Sequence, residues 1–212
     1  MRIYDISEPI APDTAVFPGD TPFSAEWVMR IADGASCNVS TMRMSVHCGT
    51  HSDAPRHYDE HGADVASLDL TPYLGKCRVL EVGSIGDPAV VDPAELGPES
   101  LGGHERVLLR TAARHDHRVF DPGFVALGPA AAEVLASCGV RLIGIDTPSM
   151  DHATSKELAA HHVLRRAGIC LLENLDLSRV PAGDYELIAL PLKIVGSDAS
   201  PVRAILRELP NS

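Results

Sequence analysis

Three histidines and an aspartate, His47, His51, Asp53 and His57, fall within eleven residues as HCGTHSDAPRH. Imidazole nitrogens and carboxylate oxygens are ligands that suit zinc, manganese or ferrous iron, and a catalytic site uses about three of them while leaving a position for water. These residues alone could build a mononuclear centre. The alternative is a set of surface histidines in a polar loop, which is the usual reading of a lone histidine, but the local density of ligand types favours a metal. A second pair lies at His161 and Glu173, twelve residues apart. Glu173 interrupts the apolar run ICLLENL, where a charge is costly unless it is paired or ligates a metal. A structural salt bridge or a second metal position would satisfy it, and spacing alone does not separate His161 from His162 as its partner. His61, His104, His115, His117 and His152 lack comparable company and are expected to be ordinary polar or packing residues.

The elements around these residues follow from apolar periodicity and from the chain's prolines and glycines. Arg2 to Ile6 reads as a short strand, and AVFPGDTP then turns the chain. From Asn38 to His47 the sequence NVSTMRMSVH alternates, with Met42, Met44 and Val46 on one face. That pattern predicts a half-buried strand delivering His47 to its end. Gly49 and Pro55 disfavour a helix, so the cluster is expected on a strand end and loop. Gly49 permits a close backbone approach or a positive φ there. Further strands are expected at Cys77–Val82, Arg106–Thr111, Arg141–Asp146, Ile169–Leu175, Tyr185–Leu192 and Pro201–Arg207. Helices are expected over 129–139, between Pro129 and Gly139, and over 154–168, capped by Thr154 or Ser155 and stopped by Gly168. Many strands with a few helices give an α/β or α+β fold whose mixed sheet curls toward a barrel.

At 212 residues, with no compositional break, the chain is expected to form one domain spanning 1–212. Aromatic residues make up 4% of the chain, so Leu, Val, Ile and Ala must fill the core. A net charge of -11 argues against a nucleic-acid partner, which would require clustered Lys and Arg. No run of signal-peptide or membrane-span length occurs, so a cytoplasmic protein without a membrane partner is expected. Cys37, Cys48, Cys77, Cys138 and Cys170 are scattered and odd in number, which suggests neither a disulfide framework nor a cysteine zinc site. Asp146, Ser149 and Asp151 follow an apolar run at a strand end, where orienting metal ligands, shaping a turn and capping a helix are all open to them.

With HCGTHSDAPRH in place, the chain resembles the cyclase-like metal-dependent hydrolase family, and within it the bacterial kynurenine formamidases (arylformamidases). The resemblance includes FPGDTPF near the start, LIGIDTPSMD in the middle, AHH before Glu173, and GDYELIALPLK with DASPVRAIL at the end. It implies a binuclear zinc site, with manganese or another divalent ion as alternatives. His47, His51 and Asp53 would bind one ion, and Asp53, His161 and Glu173 the other, with Asp53 bridging. His57 matches the family's general acid/base. Phe17 matches a substrate-contacting position where the formamidases usually carry tryptophan; it keeps a stacking face but lacks the indole N–H. Cys48 and Ser52 depart from the commonest residues of the signature at positions that are not ligands. The family fold is a compact α/β swivelling domain, usually a homodimer.

The implied reaction is hydrolysis of N-formyl-L-kynurenine to L-kynurenine and formate, a step of tryptophan degradation. A related hydrolase acting on a cyclic imide or isatin-like lactam would use nearly the same ligands. A non-enzymatic metal-binding protein would have no use for His57 as a proton carrier. A mononuclear ferrous oxygenase would leave His161 and Glu173 unexplained.

Overall fold

Alternating apolar side chains build a central sheet that is buried on both faces. The computed structural model describes residues 1–111 and 116–210. In chain order the strands are β1 (Ile3–Asp5), β2 (Ser24–Met29), β3 (Val39–Arg43), β4 (His51–Asp53), β5 (Leu74–Val82), β6 (Ser84–Ile85), β7 (Val90–Val91), β8 (Arg106–Thr111), β9 (Leu142–Ile145), β10 (Cys170–Leu172), β11 (Gly183–Ile188), β12 (Ala199–Pro201) and β13 (Ile205–Glu208). The helices are α1 (Pro98–Leu101), α2 (Pro129–Ser137) and α3 (Ala159–Arg166). Seven strands form a mixed sheet in the order β1-β13-β11-β5-β8-β9-β10, curled into a half-barrel. Neighbours from β5 to β10 run parallel, and the β1, β13 and β11 side is antiparallel.

Successive residues of β8 and β9 point to opposite faces, as the period of a strand requires. Val107, Leu109, Ile143 and Ile145 pack with Leu135 of α2 and Leu164 of α3. Leu108 and Leu142 join Val79, Leu172, Leu187 and Leu206 on the other face. Each such side chain, fully buried, contributes about 1.5–3 kcal/mol. The carboxyl ends of β8, β9 and β10 converge at one rim, where open parallel sheets usually present their ligands.

Three local expectations need correction. The alternating segment 38–47 is a strand only over Val39–Arg43, paired with β2 in a separate hairpin whose residues are all exposed. Alternation identifies a strand but not what its apolar face meets. The strand stops because Ser45 N–H donates to Thr21 O at 2.9 Å and Cys48 N–H closes a turn onto Ser45 O at 3.1 Å. His47 therefore lies on a turn rather than at a strand end.

The helix expected from Thr154 starts at Ala159. Leu158 is left-handed, with φ 44°, and its N–H donates to Ser155 Oγ at 3.1 Å in a separate turn, so neither Thr154 nor Ser155 caps the helix. The strand expected over 201–207 is split between β12 and β13, because Val202 N–H donates to Thr50 O at 3.0 Å. Among the described residues, no helix is long and apolar enough to cross a membrane, and the five cysteines are free thiols.

Candidate metal centre

The spacing HxD becomes structural in β4, because residues two apart on a strand share a face. His51 and Asp53 project together, and β12 pairs antiparallel beside them with Ala199 opposite Asp53 and Pro201 opposite His51. Glu173 immediately follows β10 and forms a bridge with His51 from the other side. Gly49 enters this strand with φ 67°, and a Cβ there would lie 3.0 Å from Ile10 Cγ1, so glycine meets both the backbone and the space requirement. His161 belongs to the first turn of α3 and is buried, while its neighbour His162 is partly exposed.

Around the Asp53 carboxylate the donor atoms face one another without well-formed hydrogen bonds. His51 Nε2 is 3.3 Å from Asp53 Oδ1 and 3.3 Å from Glu173 Oε2. His161 Nε2 is 3.3 Å from Glu173 Oε1 and 3.7 Å from Asp53 Oδ2. His47 Nδ1 approaches Asp53 Oδ1 at 3.1 Å.

The opposite ring nitrogens are already engaged: His51 Nδ1 with Gly49 O at 2.9 Å, His161 Nδ1 with Asp151 Oδ2 at 2.7 Å, and His47 Nε2 with Asp198 Oδ2 at 2.8 Å. With each outer nitrogen donating its proton, the inner ones present lone pairs to carboxylate oxygens. Such an array is stabilised by positive charge between its members. His51 Nε2, His161 Nε2 and both Asp53 oxygens are buried without a hydrogen-bond partner. The residues thus fit divalent ions held by nitrogen and oxygen donors.

The charges act in the same sense. Burial alone would lower the His51 pKa, but the Asp53 and Glu173 carboxylates outweigh it and raise it to about 10. Burial likewise opposes protonation of His161, and Asp151, Asp53 and Glu173 raise its pKa nonetheless. Burial would raise the pKa of Asp53, yet His161, His47 and His51 hold it well below the usual carboxylate range. The cluster concentrates negative charge and is stabilised by positive charge bound among its imidazoles.

Each ligand candidate has a support that spacing did not reveal. Asp151 accepts the Ala160 and His161 N–H groups at 3.0 and 3.1 Å, so it caps the otherwise unsatisfied first turn of α3 while orienting the His161 ring. Glu173 Oε1 accepts Met150 N–H at 2.8 Å. Asp198 also meets His57 Nδ1 at 3.3 Å, although it lies far away in the chain. His57, on the turn Pro55–His57, has Nε2 3.9 Å from Asp53 Oδ2. Donor atoms of His51, Asp53 and Glu173 lie within 4.8 Å of one another, as do those of His47, Asp53 and His57.

His47, His51, His57, His161, Glu173 and Asp198 border a cavity of about 340 Å³. Phe17 lies on its wall, 43% exposed, and packs edge-on against Phe120 with ring centroids 5.2 Å apart. The segment Phe17–Asp20 is a tight turn closed by Asp20 N–H on Phe17 O at 2.9 Å, with Pro18 and then Gly19 at φ 99° in its centre. Val16, Val119, Pro148 and Leu158 add apolar surface, while Glu8, Asp20 and Asp146 add carboxyl groups. His117 and His152, without company in sequence, also line the cavity. His61 and His104 lie elsewhere, and His115 falls outside the described residues.

All the candidate ligands are thus gathered at one place, with His57 and Phe17 opening on the same cavity. Residues 4–152 match the family described as "Putative cyclase", more than half of the sequence. The chain belongs to this cyclase family. Its fold is similar to that of a potential metal-dependent hydrolase with cyclase activity, at 28% identity and a TM-score of 0.74, over 97% of this chain and 96% of the other. A predicted metal-dependent hydrolase from Bacillus stearothermophilus matches at 27% identity and a TM-score of 0.73, over 97% of both chains. An isatin hydrolase bound to the product analogue thioisatinate shares the fold at 21% identity and a TM-score of 0.78, over 96% of this chain and 91% of that one.

Proposed function

We propose that this cyclase-family protein is a metal-dependent amidohydrolase that converts N-formyl-L-kynurenine to L-kynurenine and formate. The observation that carries this reading is the set of unpartnered inner donor atoms on His51, Asp53 and His161, facing Glu173 beside His57 at an aromatic-walled cavity. Two divalent ions, zinc in this reading, would be held by His47, His51 and Asp53 and by Asp53, His161 and Glu173. When bound, such ions polarise a carbonyl and acidify water.

The chain's own groups perform the remaining tasks. An amide resists hydrolysis because its carbonyl is resonance-stabilised and its nitrogen leaves poorly. His57 Nε2 faces the Asp53 side of the site and delivers a proton to the departing nitrogen as the carbon–nitrogen bond breaks. That proton is the one Nε2 takes from the water as it adds to the carbonyl carbon, a step that precedes bond breakage, so the products are formate and the free aryl amine. Phe17 and Phe120 offer ring surface for the aniline group, and the carboxyl groups of Glu8 and Asp20 suit the substrate's ammonium. The same family resemblance supports a homodimer, which sedimentation analysis would test.

The second reading is hydrolysis of an isatin-like lactam, favoured by the fold shared with isatin hydrolases. Both substrates contain an amide on an aryl nitrogen. Zinc-reconstituted protein assayed with N-formyl-L-kynurenine and with isatin separates the two. Formate release supports the first reading, and ring opening without formamidase activity replaces it with the second.

A further inference from the structure

One oxygen of Asp198 serves two histidines. Asp198 Oδ2 lies 2.8 Å from His47 Nε2 and 3.3 Å from His57 Nδ1, and the two imidazoles are tilted by 45° with centroids 4.2 Å apart. The main chain fixes this placement. Ala54 N–H donates to Asp198 O at 2.8 Å, and the next residue, Ala199, begins β12 opposite Asp53. Asp198 is thereby attached to the same strand that carries His51 and Asp53, with its carboxylate over the rings that flank it.

An ionised carboxylate can only accept hydrogen bonds, so both ring nitrogens facing it must carry hydrogen. For His47 this leaves Nδ1 as the lone-pair atom directed at Asp53 Oδ1. For His57 it leaves Nε2 directed toward Asp53 Oδ2, while imposing the Nδ1–H tautomer that an isolated histidine side chain disfavours. We propose that Asp198 is a positioning residue that fixes the tautomer and ring orientation of His57 and His47 together, coupling the proton carrier to a ligand of the metal centre. This rests on the reading of His57 as the acid/base group. Asp198 acts through the two rings rather than on the substrate.

The test is carried out on the zinc-loaded protein with nitrogen-15-labelled histidine, comparing wild type, Asp198→Asn and Asp198→Ala by NMR. The expected wild-type spectrum shows His57 as Nδ1–H and His47 as Nε2–H. In Asp198→Ala, His57 should shift to mainly Nε2–H. The Asn variant, whose amide oxygen can occupy the Oδ2 position, should retain the wild-type tautomer in larger part; if the Ala variant does not fold, Asp198→Leu, which also removes the acceptor, takes its place with the same expected shift.

Alongside this, kcat for an aryl formamide should fall about 10- to 100-fold in Asp198→Ala, with KM changed less than about threefold and partial recovery in Asp198→Asn. An Nε2–H tautomer for His57 in the wild type, or an unchanged tautomer in Asp198→Ala, would overturn the proposal. Bound ions lost with the His57 tautomer unchanged would assign Asp198 to His47 alone and overturn it as well. If the wild type is inactive on aryl formamides and on isatin, the proposed reaction fails while the tautomer measurement still decides the role of Asp198.

Discussion

His51 and Glu173 exchange both backbone hydrogen bonds, His51 N–H to Glu173 O at 3.2 Å and Glu173 N–H to His51 O at 3.0 Å. Their side chains then meet, with Nε2 and Oε2 3.3 Å apart. Main-chain pairing therefore sets this part of the donor geometry before any ion is considered. Asp53 follows on the same face of β4, and its backbone is held by β12. A ligand side chain can accordingly be removed without removing the framework that places the others.

That independence gives the first prediction. Asp53→Ala is expected to abolish activity and to lower bound metal from two ions toward one or none, because both of its oxygens face imidazole donors. Elemental analysis of the dialysed variant checks this. Two tightly held ions in that variant would remove Asp53 from the bridging position.

For His57→Ala the opposite separation is expected. His57 is partly exposed and tied to the site through Asp198, whereas the other imidazoles are buried more deeply. Metal content should be kept, and kcat/KM should fall by about 10²-fold or more, equivalent to about 2.7 kcal/mol of transition-state stabilisation. Loss of an ion would instead make His57 a ligand in the group it forms with His47 and Asp53.

How much of this was legible in the sequence depends on the range of the contact. The HxD spacing in β4 and the apolar run before Glu173 are local patterns, and both led to the site. Pro129 likewise marked the start of α2 correctly. Asp198 opens the DASPVRAIL stretch of the resemblance, but nothing local pointed to its partners, since His57 and His47 are 141 and 151 residues away. The alternation of 38–47 was local too, but it carried no information about the hairpin partner β2 or about where the strand would stop. Asp151 could be read as a capping or an orienting residue, and the structure shows one carboxylate doing both.

Asp146 supplies a prediction about pH. Its buried carboxyl accepts Thr111 N–H at 3.1 Å and Thr111 Oγ at 2.9 Å, yet burial raises its pKa to about 7. In the unfolded chain the value is about 3.9. Between these values the folded state holds the proton more tightly, so unfolding releases it and this group's contribution to stability declines as pH rises from about 4 to about 7. Above that range the full penalty is present, at most about 4 kcal/mol. Asp146→Asn keeps an acceptor for Thr111 without the ionisation. The variant's stability relative to wild type should therefore increase with pH across this window in denaturant titrations, and a pH-independent difference would show that Asp146 is not ionising there.

The last prediction concerns Phe17, which the proposed formamidase reading assigns to the substrate pocket. It projects into the cavity from the Phe17–Asp20 turn and is braced edge-on by Phe120. If the aniline ring of formylkynurenine stacks there, Phe17→Ala should weaken the contact by about 0.5 to 1.5 kcal/mol beyond the loss of buried area. The metal centre should remain intact, because no ligand contacts this turn directly among the described interactions. Measuring kcat/KM for formylkynurenine and for a small aliphatic formamide, in wild type and variant, isolates the effect, since only the aryl substrate offers a ring. The aryl substrate should lose more. Equal losses for both, or none for either, would place Phe17 outside the binding site and favour a non-aromatic amide as the substrate.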